Sequence, residues 1–118
     1  MQPDDRDDEV LRALAELVQA IQANEATARE ILKRAALLER SRRQGLPYRE
    51  VVSAEHRPLI VEMLRAAQDR LSKAGSRFRR TEAAALRQEG LTYDQIASLF
   101  GVTRQRIIAL VQGHDQED

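Results

Sequence analysis

Few side chains in this 118-residue chain have the type and spacing to do covalent chemistry. His56 and His114 lie far apart with no third ligand evident, whereas a zinc-type site needs three or four donors. There are no cysteines, which removes thiolate ligands, disulfides and cysteine nucleophiles together. The many Asp and Glu residues sit at helical spacing beside Arg, the pattern of solvated neighbours rather than of an acid–base dyad. No glycine-rich phosphate loop or nucleophile motif occurs. The expectation is no enzyme, no metal and no cofactor. What remains is "TRQR", Thr103 to Arg106. These four residues concentrate hydrogen-bond donors and positive charge, which suits binding rather than turnover.

The elements that must position this cluster are written around it, in "LTYDQIASLFGVTRQRIIALV", Leu91 to Val111. Thr92 can cap a helix from Tyr93 to Leu99. Phe100-Gly101-Val102 makes a tight turn, and Thr103 caps a last helix from Arg104 to Gln112. Two short helices meeting at a large angle need a small residue at the fifth position of the first, here Ala97. The turn needs positive φ, which Gly101 accepts without steric cost. Apolar residues must face inward to hold the angle, and Ile96, Phe100, Val102, Ile107 and Leu110 are placed to do so.

On these residues the chain resembles the helix-turn-helix of small bacterial transcription regulators. "GVTRQRI" is especially similar to the recognition helix of region 4 of sigma factors. The resemblance covers roughly residues 78–112, with Phe78 to Glu89 as the supporting first helix of a three-helix unit. Nothing in residues 1–75 looks like a promoter-melting region, so a sigma factor itself is not expected. Only seven residues follow Val111, so no β-wing is expected either. The resemblance implies double-stranded DNA as partner, and the residue chemistry agrees. With Ile107 and Leu110 inward, Arg104 and Gln105 fall on the open face, where Arg can bond guanine and Gln adenine in the major groove. Ile108 and Ala109 would lie near thymine methyls. Tyr93, Thr103, Arg106 and Gln112 are candidate phosphate contacts, and Arg77, Arg79 and Arg80 could add backbone contacts.

Upstream, apolar residues follow a heptad from about Asp8 to Arg43, a stretch with neither Gly nor Pro. Val10, Leu14, Leu17, Ile21, Asn24, Ala28, Ile31, Ala35 and Leu38 are spaced alternately by four and three, predicting a helix about 50 Å long. Leu11, Val18 and Leu32 widen the stripe. Gly45 and Pro47 break the pattern, residues 47–53 read as a short helix, and Ser53 could cap the long helix after it. A second stripe runs through Ile60, Leu64, Ala67, Leu71, Ala74, Phe78, Thr81 and Ala85. It predicts one helix over residues 57–89 through Gly75, with a break at Gly75 as the alternative. The two stripes can pair as a hairpin within the chain or between chains. The dimer is preferred because so much apolar surface would otherwise be uncovered. Its expected contact residues are Leu14, Leu17, Ile21, Asn24, Ile31, Leu38, Leu64 and Leu71, with Asn24 setting register or merely tolerated.

Composition supports an all-α fold. Aromatic residues make up only 3%, and the good helix formers Ala, Leu, Arg, Glu and Gln dominate. The net charge is zero, yet from Lys73 to Gln112 seven bases face three acids. That bias suits a polyanion partner. No basic start leads into an apolar run and no segment is long enough to span a membrane, so a cytoplasmic, nucleoid-associated protein is expected. The expected organisation is an acidic tail at 1–7, a long-helix dimerisation region at 8–75, a helix-turn-helix unit at 76–112 and an acidic tail at 113–118. The reading is thus a homodimeric, sequence-specific DNA-binding regulator. Its rival is an adaptor whose N-terminal coiled coil captures a protein partner and whose C-terminal unit is scaffold. A ligand-responsive regulator is a third possibility, though no residue pattern marks a pocket.

Overall fold

The computed structural model describes residues 8–113 and is all-helical, with no strand among them. The helices are α1 (Glu9–Arg43), α2 (Tyr48–Ser53), α3 (Ile60–Gln88), α4 (Tyr93–Phe100) and α5 (Arg104–Val111). His114 and the acidic tails expected at 1–7 and 113–118, Gly113 apart, lie outside the described residues.

Each long helix starts where a carboxylate meets its unpaired amides. Asp8 accepts from the Leu11 amide at 3.1 Å, opening α1. Pro47 stands outside α2, with its carbonyl accepting from Glu50 and Val51. The start of α3 differs from expectation: it begins at Ile60, not residue 57, and Ser53 is not its cap. The Ser53 hydroxyl donates to the Arg49 carbonyl of its own helix. Pro58 stands just before the helix, and two carboxylates take the cap role. Glu62 accepts from the Leu59 amide and Glu55 from the Ile60 amide, each at 2.9 Å. The Leu59 hydrogen bond and the nearby Arg57 guanidinium hold the Glu62 carboxyl below its ordinary value. Helix α3 runs unbroken through Gly75 to Gln88, so the reading with a break there is not what forms.

The chain divides into two compact units. One takes residues 20–71, and the other takes residues 8–19 with 72–113 among those described. The expected partition at 75/76 followed chain order, whereas the first turns of α1 group with the C-terminal segment. This happens because Ala13 is fully buried and Glu9 and Glu16 both reach Arg77.

In the unit of residues 20–71, α1 and α3 pair within the chain. The Asn24 amide donates to the Ala67 carbonyl at 3.0 Å, and Arg70 donates to the Asn24 side-chain oxygen at 2.6 Å. The half-buried Asn24 is therefore satisfied by its own α3. Arg34 donates to the His56 and Pro58 carbonyls, tying the loop before α3 back to α1. Val51 of α2 and Met63 of α3 are buried there. The buried or half-buried positions of this part of α1 are Ala20, Ala23, Asn24, Thr27, Glu30, Ile31, Arg34, Leu38 and Ser41. They share Asn24, Ile31 and Leu38 with the expected stripe but leave Ile21, Ala28 and Ala35 exposed.

Candidate functional site

The site lies in the other unit, and its foundation is a small aliphatic core. Ala83 of α3, Ile96 and Ala97 of α4, and Ile107 and Leu110 of α5 form one buried cluster. Leu86, Leu91, Tyr93, Phe100 and Val111 pack around it. Alanine at 83 and 97 lets the helices approach closely, and Ile96 and Ile107 fill the space between them, fully buried.

The connection from α4 to α5 is set by backbone requirements. Gly101 adopts φ 69°, ψ 33°, the left-handed conformation that ends α4, and its amide returns to the Ala97 carbonyl. Helix α4 begins with a reciprocal cap: Gln95 donates its amide to the Thr92 hydroxyl and accepts from the Thr92 amide. Thr103 caps α5 by accepting from the Arg106 amide at 3.1 Å. Because that bond uses an acceptor lone pair, the Thr103 hydroxyl keeps its proton to donate outward. Val102 departs from expectation. It remains 42% exposed rather than inward, because the left-handed turn at Gly101 carries the chain out to the rim before α5 begins.

Arg104 and Gln105 are exposed on the first turn of α5, while Ile107 and Leu110 are buried beneath. Arg104 stands 3.5 Å from the Asp94 carboxylate and 5.8 Å from the centroid of the Tyr93 ring. Arg87 lies over the same ring at 4.4 Å and donates to the Leu91 carbonyl. Two guanidinium groups thus share one aromatic ring, an arrangement worth about 0.5–1 kcal/mol per contact at exposed sites. Arg87 was not among the residues expected at the site. Its place over the ring follows from how the chain turns at Gly90, φ 100°, between α3 and α4.

The other expected residues are placed less uniformly. Arg106 and Gln112 are exposed, whereas Ile108 and Ala109 are half-buried at the margin of the open face. Arg79 is exposed and donates to the buried Ser76 hydroxyl at 3.1 Å. Arg80 is half-buried. Arg77 shares the unit of α5, but its side chain is engaged by acids of α1. Its guanidinium lies 3.1 Å from Glu16 and 3.6 Å from Glu9, which engages it in packing α3 against α1.

No group of His, Cys, Asp or Glu among the described residues could hold a metal ion, and no helix among them is long and apolar enough to cross a membrane. In comparisons with known proteins, no family model, curated protein or solved structure matches this chain.

Proposed function

We propose that the chain is a sequence-specific DNA-binding transcription regulator that acts as a homodimer. In this reading α4, the Gly101 turn and α5 form a helix-turn-helix, and α5 enters the major groove. The observation that carries it is the division of labour along α5. Ile107 and Leu110 are buried against α4 and α3, while Arg104 and Gln105 project from the N-terminal turn, where a recognition helix meets base edges. Arg104 and Gln105 read bases. Thr103 and Arg106 contact phosphate, and the Arg87–Tyr93–Arg104 cluster adds positive charge beside the helix N-terminus.

The test is selection of bound sequences from a random duplex pool, followed by titration of the selected duplex. Arg104→Ala and Gln105→Ala are each expected to weaken binding about 10- to 100-fold, the value of one bidentate base contact. Circular dichroism should be unchanged. Absence of enrichment at low salt, or equal affinity of the double variant, overturns the reading.

A second reading, a protein-binding scaffold, is favoured by one observation. Leu99 and Val102 present exposed apolar surface beside α5, where a phosphate backbone would offer them nothing. It predicts that Leu99→Ser abolishes partner capture while the Arg104 and Gln105 variants leave it intact.

A further inference from the structure

Within residues 20–71, α1 and α3 each carry more apolar surface than their mutual contact uses. The seam is marked by Asn24 lying level with Ala67 and Arg70, and by Arg34 reaching the Pro58 carbonyl. In an antiparallel pair with this register, residues one step past the seam on α1 flank it on the same side as residues one step past it on α3. On that side the side chains are Ile21 (42% exposed), Leu32 (71%), Val61 (67%), Leu64 (46%) and Leu71 (43%). Ala28, also exposed, lies between Ile21 and Leu32. Level with them on the opposite flank stand Ala23, Glu30 and Ala66. A helix in a two-helix hairpin needs one apolar stripe, but a helix in a four-helix bundle needs two adjacent ones. Both helices here carry two.

We infer that this face is occupied by a second copy of the same chain, forming a four-helix bundle about a two-fold axis parallel to the helices. Such an axis sets α1 of each copy antiparallel to α3 of the other, at the level it already has with its own α3. Ile21 then meets the second copy's Leu71, Ala28 its Leu64, and Leu32 its Val61. At the edge of this row Glu25 comes within about one helical turn of the second copy's Arg65, which a long guanidinium side chain can span. Glu25 and Arg65 form no ion pair or hydrogen bond among the described residues. The five large side chains expose on the order of 500 Å² per copy, which doubles to about the 1,000 Å² at which a specific interface becomes stable. Flanking aliphatic stems add to it.

This inference rests on the dimeric part of the proposed function. It is tested without DNA, so that failure of the face and failure of DNA binding are read separately. Sedimentation equilibrium of the full chain should give a dimer at roughly 10 µM. Leu64→Glu/Leu71→Glu should raise the dissociation constant about 100-fold or more. Glu25→Arg, a change at an exposed site that leaves the fold intact, should weaken the dimer, and Glu25→Arg/Arg65→Glu should restore it. Helical circular dichroism checks each variant, and if the leucine variant loses helix the charge swap decides alone. A wild-type monomer, or a dimer indifferent to the charge reversal and its swap, overturns the inference.

Discussion

Tyr93 shows how a single side chain can organise the charges around it. Its ring lies against the aliphatic core while its face receives Arg87 at 4.4 Å and Arg104 at 5.8 Å. Two guanidinium groups near one another would repel, and the ring quadrupole offsets that repulsion by attracting both. The Asp94 carboxylate also lies 3.5 Å from Arg104. Tyr93→Phe keeps the ring face and should bind DNA within about threefold of wild type if the hydroxyl makes one weak phosphate bond. Tyr93→Ala removes the platform and should cost about tenfold more. A fluorescence-anisotropy titration of the two variants separates the roles. Equal losses would mean that the hydroxyl, not the ring, carries the effect. Tyr93 and Thr103 were legible in the sequence because capping and aromatic placement are local. Arg87 was not, because its arrival over Tyr93 depends on how the chain turns at Gly90.

At the scale of elements, the glycines divide by backbone conformation. Gly75 sits inside α3 with helical geometry, and an added Cβ would meet only the flexible end of Arg79 at 3.4 Å. Gly75→Ala should therefore stabilise the protein by up to about 1 kcal/mol, the helix-propensity difference. Gly101 holds φ 69°, and Gly101→Ala should destabilise by about 1–2 kcal/mol despite open space around it. Thermal denaturation of the two variants should move in opposite directions. The start of α3 gives a pH prediction. Glu62 has its carboxyl lowered by the Leu59 amide bond first and Arg57 second. A lowered folded-state value favours the folded form fully above the ordinary value near 4.5, and the contribution is lost as pH falls through the lower folded value. Glu62→Gln should flatten stability against pH in that acidic window and leave the slope near neutrality unchanged, as urea titrations between pH 3 and pH 7 would show.

At the scale of the whole molecule, zero net charge coexists with a basic segment from Lys73 to Gln112. Binding to a polyanion should therefore depend on particular arginines rather than on bulk charge. Each true phosphate contact contributes about one unit to the slope of log affinity against log salt. Arg79→Ala and Arg106→Ala should each lower that slope by about one. Arg77→Ala should leave it unchanged and lower thermal stability instead, because Glu9 and Glu16 already engage that side chain. An unchanged slope for both Arg79 and Arg106 would remove them from the DNA contact.

The sequence by itself determined what short-range physics controls. It specified helices where good helix formers repeat with heptad spacing, the ends of α4 and α5 where Thr92, Gly101 and Thr103 stand, and Ile96, Ala97, Ile107 and Leu110 as a core. These depend on a residue and its neighbours within a few positions, so pattern alone carries them. Only the tertiary structure decided which apolar stripe of α1 faces α3. The heptad row contained both Asn24 and Ile21, and their different fates were set by the rotation of α1 about its own axis when Ala67 and Arg70 bonded Asn24. It also decided that Arg77 packs and that Arg87 joins Tyr93. Side chains far apart in sequence share a partner only once helix rotations and turns are fixed, and no local pattern encodes those.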